Sequence, residues 1–327
     1  MRAMVVRAAG DPSVLGIEDV PEPTPQPGHA LVRVAYAGVN FADVVMRLGE
    51  TRTPLPLIPG VEGSGEVVEV GDGVAQFRAG DRVSWAPVKG AAAVGSYAEL
   101  LNVSEQELLP VPDDVPLETA AAITLQGLTA HYLATEQVVI GPNSTVLVHA
   151  AAGGTGSVTV QWLKHLGATV IGTVSTEAKA VVAKEAGADH VILYTEQDVV
   201  AGVARITNGK GVHYIVDGVT GPRFRQNFAL AADRARICVF GRAGGPPEPF
   251  SPLELLEKSI TVAGAIMTNF LRSREEVLRK ADDVWCGVRD GWLVPRVHAV
   301  LPLEQAAAAH RQLEGRESTG KLVLHVT

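Results

Sequence analysis

The segment that most restricts the fold runs from Thr145 to Gly156. Val146-Leu147-Val148-His149 is the apolar run of a buried strand, and it passes directly into Ala150-Ala151-Ala152-Gly153-Gly154-Thr155-Gly156, where a helix pattern begins. Strand, small-residue turn and helix is the order that sets backbone N–H groups and a helix N-terminus against a phosphate. Gly153 lets the backbone approach a pyrophosphate, and Gly156 lets helix and strand pack closely. The first glycine of the usual G-x-G-x-x-G spacing is Ala151 here, so the bare pattern is weaker than standard. Its surroundings restore it. Further strands at residues 169–174, 190–193, 212–216, 236–240 and 260–263 alternate with helix patterns at 156–166, 177–186, 198–207 and 221–232. That alternation predicts an α/β fold with a doubly wound parallel sheet and ligands at the carboxyl ends of its strands. Ala152, Gly153, Gly154, Thr155 and Gly156 are the expected pyrophosphate contacts.

The choice of dinucleotide depends on the end of the second strand, where a carboxylate would grip an adenosine ribose diol. Here the strand ends Gly172-Thr173-Val174-Ser175. Ser175 offers a hydroxyl, Lys179 a cation one helical turn later and Tyr194 a phenol after the third strand, a set suited to a 2′-phosphate. NADPH is therefore the expected cofactor. Lys179 also reads as an ordinary solvated helix lysine, and Glu177 opposes an anion locally.

At 327 residues the chain is long enough for two domains. Hydrophobic residues form 46% and charged residues 20%, the balance of a globular protein and not of a disordered one. No apolar run approaches the roughly 18 residues of a membrane span, and the Met1-Arg2-Ala3-Met4 start lacks the apolar block of a signal peptide. A cytoplasmic protein without membrane partners is expected. Cys238 and Cys286 lie far apart, indicating neither a disulfide framework nor a zinc module. A net charge of -8 argues against nucleic-acid binding.

The first third reads as β-rich, with apolar runs at 30–36, 65–70, 82–86 and 96–101 between Gly and Pro clusters, and suggests a barrel-like unit. Amphipathic helices are expected at 273–288 and 303–312. The closing run Lys321-Leu322-Val323-Leu324-His325-Val326 has no obvious strand partner nearby, so the C-terminus should return to the first domain. This gives a discontinuous domain of residues 1–121 and 265–327, with a dinucleotide-binding domain of residues 122–264 inserted in it. The β-prone segment 259–266 would form an exposed sheet edge, for which a homodimer is the expected cover.

Gly38-Val39-Asn40-Phe41-Ala42-Asp43, Pro59-Gly60-Val61-Glu62-Gly63, Gly80-Asp81-Arg82-Val83, Gln126-Gly127-Leu128-Thr129-Ala130, the Ala150 to Gly156 loop and Gly320-Lys321-Leu322-Val323-Leu324 occur in one order along nearly the whole chain. Together they resemble the zinc-independent, zeta-crystallin-like quinone oxidoreductase branch of the medium-chain dehydrogenase/reductase superfamily. The resemblance implies a GroES-like catalytic domain carrying an inserted Rossmann domain. Where metal-binding relatives carry a cysteine, a histidine and a third ligand, this chain has Asn40, Val61 and Leu125, which cannot hold zinc. No metal is expected. The implied activity is hydride transfer from NADPH to a small-molecule quinone. An enoyl or 2-alkenal reductase is the alternative, and a non-enzymatic NADPH-binding protein a further one.

The same resemblance implies the remaining site residues. Asn40 and Asp43 are the catalytic candidates, Asn40 beside the nicotinamide, either contacting substrate or water or simply stabilising its turn. Gln126, Thr129, Gly218, Val219, Phe240, Gly241, Asn269, Phe270 and Lys321 are the further cofactor contacts, with Asp217 at the cleft. Arg242 reads equally as a phosphate contact or a solvated residue, Arg47 and Tyr97 as surface or packing residues, and His131 as a helix-surface residue.

Overall fold

The structure, a computed structural model, describes residues 1–51, 53–91 and 94–327. The chain divides into two compact units, one of Met1–Leu128, Leu271–Gly291 and Pro295–Thr327, the other of Thr129–Phe270 and Trp292–Val294.

The first unit begins with β1 (Arg2–Val6) paired antiparallel to β2 (Leu15–Asp19). Its centre is β3 (His29–Val39), where Ala30, Leu31, Val32 and Val34 are buried and Arg33 is exposed. After α1 (Phe41–Arg47) come β4 (Gly63–Val70), β5 (Arg82–Trp85), β6 (Leu100–Ser104) and β7 (Leu108–Pro110). Strand β3 pairs with both β4 and β6. At Gly65 a Cβ would lie 2.0 Å from the Arg33 carbonyl oxygen, so only glycine lets β4 close on β3. The strand expected at 96–101 begins later, because Gly95 N and Tyr97 N donate to the carbonyls of Gly60 and Pro59 (2.9 and 3.1 Å) and hold that stretch on a turn.

Helix α2 (Leu117–Thr135) leads to the second unit, with β8 (Thr145–His149), α3 (Gly154–His165), β9 (Thr169–Val174), α4 (Glu177–Glu185), β10 (His190–Leu193), α5 (Val199–Ile206), β11 (Val212–Asp217), α6 (Gln226–Leu230), β12 (Ala231–Val239) and β13 (Thr261–Gly264). The six strands form one parallel sheet in the order β10-β9-β8-β11-β12-β13. Numbered within the sheet this is 3-2-1-4-5-6, the Rossmann order, whose direction of winding reverses between β8 and β11. The helix expected at 221–232 is broken. A 3-10 turn at Gly221–Arg223 precedes the five-residue α6, and Lys258 Nζ donates to the carbonyls of Phe228, Ala229 and Ala231 (3.1, 3.2 and 2.9 Å), ending the helix and releasing β12 early.

The chain then returns to the first unit through α7 (Arg274–Arg289), β14 (Val297–Pro302), α8 (Ala306–Glu314) and β15 (Lys321–His325). Strand β15 lies parallel to β14 and antiparallel to β3, with Leu324 opposite Ala37. Leu322 and Leu324 join the core around Met4, Val32, Trp85 and Val103. The last strand is thus an inner strand, lying between β14 and β3 in the larger sheet of the first unit. Leu324→Ala should cost about 2–5 kcal/mol in urea unfolding of the full chain. A loss below about 1 kcal/mol would show that this strand is peripheral to the core.

Candidate cofactor and active site

The β8–α3 loop sits at the point where the sheet order reverses. Ala150 adopts a positive φ of 52°, and its carbonyl accepts from Gly153 N (2.9 Å), closing a tight turn. A Cβ on Gly156 would come within 2.2 Å of that carbonyl oxygen, so the helix can start here only with glycine. Ala151 is accommodated because its methyl faces Gly172 on β9, where a Cβ would lie 2.7 Å away. Helices α4, α5 and α7 are capped by Thr176, Asp198 and Ser273, whereas Gly153 leaves α3 without a side-chain cap. The first-turn N–H groups of α3 remain for an outside acceptor. Ala152, Gly153, Gly154, Thr155 and Gly156 all belong to this cradle, which fits a pyrophosphate.

Alongside it, Tyr194 N donates to Val174 O (3.0 Å) and Thr195 Oγ1 to Ser175 O (2.8 Å), so the ends of β9 and β10 are tied together. Ser175, Tyr194 and Lys179, in the first turn of α4, therefore lie at one end of the sheet. Asp217 ends β11, buried: its Oδ1 accepts from Val219 N and Thr220 N (2.8 Å each), and its Oδ2 accepts from Asn227 Nδ2 (2.8 Å). Asn227 Oδ1 contacts His149 Nε2 (2.8 Å), and His149 Nδ1 contacts Thr173 Oγ1 (2.9 Å). Asp217 thus shapes the loop, and His149, to which the sequence pointed no role, links three strand ends. Gly218 and Gly241 are pressed together: a Cβ on Gly218 would meet the Phe240 ring at 2.5 Å, and one on Gly241 would meet Gly218 O at 2.7 Å. Asn269 and Phe270 lie in a 3-10 turn, where the Phe270 ring stacks on Tyr132 (centroids 4.4 Å apart). Thr129 Oγ1 faces Met267 Sδ at 3.6 Å. His131 is buried edge-on against Trp162, not on the helix surface as its position suggested.

In the first unit the other group of expected site residues forms a closed polar cage. Lys321 Nζ donates to Asn40 Oδ1 (2.7 Å), to Glu62 Oε1 and, with the Gln126 amide turned to suit both its neighbours, to the Gln126 oxygen (2.7 Å). All three ammonium protons are taken. Asn40 Nδ2 donates to Gly38 O (3.2 Å) and Glu62 Oε1 (2.9 Å), while Leu125 N donates to Glu62 Oε2 (2.9 Å). Both amide protons of Asn40 are therefore engaged, and one lone pair of its oxygen remains. Gly38 makes the room, since a Cβ there would lie 2.5 Å from Glu62 Oε1.

Asp43, fully buried, accepts at Oδ2 from Asn40 N (2.8 Å) and from the Tyr97 hydroxyl (3.1 Å), while its Oδ1 has no partner among the described residues. Tyr97 in turn meets His310 Nε2 (3.2 Å), and Arg47 Nη1 donates to His310 Nδ1 (3.1 Å). Arg47 also grips Glu314 through two hydrogen bonds of 2.8 Å and Gly10 O at 3.0 Å. Because Arg47 can only donate, His310 Nδ1 must accept and its proton sits on Nε2. Arg47 and Tyr97 are thus fully buried members of a network joining α1 to α8, the packing and not the surface alternative of their sequence reading. Burial raises the Asp43 carboxyl to about 7 despite the Asn40 N–H. Burial, followed by the Arg47 charge, lowers His310 to about 4. Burial and then the Asp43 charge hold the Tyr97 phenol well above its usual value.

Comparison with known proteins agrees with this anatomy. Residues 26–113 match the alcohol dehydrogenase GroES-like domain family and residues 154–283 the zinc-binding dehydrogenase family. A quinone oxidoreductase of Pseudomonas aeruginosa is 35% identical over 97% of both chains, and a 2-haloacrylate reductase of a Burkholderia species is 34% identical over 98% of both. The chain belongs to the zeta-crystallin-like quinone oxidoreductase branch of the medium-chain dehydrogenase/reductase superfamily. A mycobacterial protein solved with NADPH superposes with a TM-score of 0.94 at 38% identity, covering 99% of this chain and 100% of that one. The Escherichia coli quinone oxidoreductase solved with NADPH gives 0.95 at 33% identity with the same coverage. Among the described residues of this chain, no group of three or more His, Cys, Asp or Glu side chains is placed to hold a metal ion.

The cage makes stability depend on pH in two opposed ways. Between the ordinary value of 3.8 and about 7, folded Asp43 keeps a proton that the unfolded chain has lost, so stability falls as pH rises. Between about 4 and the ordinary 6.5, folded His310 refuses a proton that the unfolded chain takes up, so stability rises with pH. The two slopes, each at most about 1.4 kcal/mol per pH unit, oppose one another over most of that range. Asp43→Asn, which keeps an acceptor toward Asn40 N and Tyr97, should unmask the rising His310 slope and be more stable than the natural chain at pH 8. Urea midpoints from pH 4 to 8 check this, and an unchanged profile would refute the assignment.

Proposed function

We propose that the chain is an NADPH-dependent, zinc-independent reductase of quinones. The observation that carries the reading is an uncapped, glycine-walled helix N-terminus at the sheet's switch point, beside strand ends that present Ser175, Lys179 and Tyr194 where a ribose-gripping carboxylate would stand. The relatives support it, two of them solved with NADPH. NADPH held there supplies the hydride. The residues of the chain bind and orient: Ala152 to Gly156 receive the pyrophosphate, and Ser175, Lys179 and Tyr194 receive the 2′-phosphate. Gly218, Val219, Phe240 and Gly241 wall the dinucleotide, Thr129, Asn269 and Phe270 close on it, and Gln126 and Lys321 act from the cage through Asn40.

Zinc independence is supported by that cage. The Lys321 ammonium sits on Asn40 and Glu62, placing a positive charge among the positions where the resemblance puts metal ligands in other branches. Neutral Val61 and Leu125 add no ligand there. Without a Lewis acid the acceptor must itself be electrophilic, as quinones and α,β-unsaturated carbonyls are. Asn40 cannot donate to the acceptor, so Asn40 and Asp43 shape the site, and the product oxygen takes its proton from water.

The 2-haloacrylate reductase relative favours a second reading, reduction of an activated alkene with the same hydride. A cytoplasmic homodimer completes the proposal. Strand β13 ends the sheet with β12 as its one neighbour among the described strands, and Ile266 just beyond it is 61% exposed. Light scattering at micromolar concentration should give twice the chain mass, and a monomer mass would count against the dimer. For the activity, NADPH oxidation is followed with 1,4-benzoquinone, 9,10-phenanthrenequinone, a crotonyl thioester and a 2-alkenal. Quinone turnover is expected, faster with NADPH than with NADH. Turnover of the alkenes alone would move the chain to the second reading, and turnover of none would remove both.

A further inference from the structure

Arg223 lies outside every contact assigned so far. It ends the 3-10 turn that follows β11, after Thr220 and Gly221 with positive φ of 54° and 70°. The turn is fixed from below. Thr220 Oγ1 and Gly221 N donate to Gly245 O (2.9 and 3.0 Å), and a Cβ on Gly221 would come within 2.5 Å of Gly244 O. From this base the side chain reaches back to the end of β10. Its guanidinium carbon lies 4.9 Å from the centre of the Tyr194 ring, and Nη1 donates to Tyr194 O (3.3 Å). Arg225, two residues on, is paired with Glu254 at 2.6 Å. Arg223 has no carboxylate partner among the described residues. One of its five N–H groups is engaged, and the others are open.

We infer that Arg223 is a specificity-determining residue that binds the 2′-phosphate of the dinucleotide together with Ser175 and Lys179. The inference rests on the NADPH reading above. A guanidinium laid on Tyr194 is pre-ordered, so it loses little freedom on engaging a phosphate and presents a planar fork to it. Tyr194 then has two tasks: its ring supports the guanidinium, and its position beside Ser175 fixes where the phosphate is met. The nearby carboxylates are Glu177 and Glu196, both exposed, so the site needs more than the single cation of Lys179 to favour a dianion over a free hydroxyl.

The test compares 2′,5′-ADP with 5′-ADP as competitors of the cofactor, in the natural chain, Arg223→Ala, Arg223→Lys and Lys179→Ala. Arg223→Ala should weaken 2′,5′-ADP about tenfold while changing 5′-ADP less than about twofold, with Arg223→Lys between. The side chain is exposed, so the melting temperature should not move. Equal weakening of both nucleotides would mean that Arg223 packs on adenine, and no weakening would mean that it is solvated. Either result overturns the inference. If Lys179→Ala loses the preference and Arg223→Ala keeps it, this inference alone falls. If the natural chain binds both nucleotides equally, the NADPH reading falls with it.

Discussion

A lysine ammonium and a glutamate carboxylate meet inside the first unit with both side chains out of water, and the geometry around Asn40 follows from how that pair is satisfied. Lys321 is 2% exposed and Glu62 fully buried. Such a pair is tolerated only when every remaining proton and lone pair finds a partner, because the desolvation of each ion otherwise outweighs their attraction. Here the partners are Asn40, Gln126 and the backbone of Leu125, drawn from the turn after β3, the helix α2 and, through Lys321 itself, the last strand. The cage therefore binds the C-terminal strand to the N-terminal sheet electrostatically as well as through its ladder. Removing one member would leave a buried charge unanswered, which makes the pair a constraint on register more than a source of net stability.

The second unit relies on close approach instead of charge. The tight β8–α3 turn proposed to receive the pyrophosphate exists because Gly156 and Gly172 leave room for backbone and for the Ala151 methyl. The adjacent strand ends are then held in step by a chain of hydrogen bonds from Thr173 through His149 and Asn227 to Asp217. The loop that carries Gly218 and Val219 is thereby coupled to the loop that carries Gly153, and neither depends on a long side chain to keep its shape.

Much of this was legible in the sequence because it is local. The β8–turn–α3 unit, the alternation that gives a parallel sheet and the missing carboxylate after Val174 each lie within a short window, where period and turn chemistry are sufficient evidence. What escaped is non-local. Arg47 and His310 stand 263 residues apart, and Tyr97 and His310 stand 213 apart, so nothing in the helix pattern of α1 marked Arg47 as buried. The helix expected at 221–232 failed for a similar reason: its end is set by Lys258, 27 residues beyond Ala231 and on a different element. Arg223 was invisible for the same cause, since Tyr194 is 29 residues distant.

The cage also bears on how acceptors are chosen under the proposed reading. A donor that activates a carbonyl must have a free proton, and in this chain the Asn40 amide, the Lys321 ammonium and the Tyr97 hydroxyl have all given theirs to internal acceptors. What faces an acceptor from Asn40 is a single oxygen lone pair, which can accept a hydrogen bond or order a water but cannot polarise a carbonyl. Electrophilicity must then come from the acceptor. An isolated ketone, whose reduction needs its oxygen polarised, gains nothing from such a site, whereas a quinone or an activated alkene delocalises the incoming charge over its own π-system. Selectivity between those two would rest on how the acceptor fits and not on any catalytic proton, which is the kind of property that drifts readily between relatives sharing about a third of their residues.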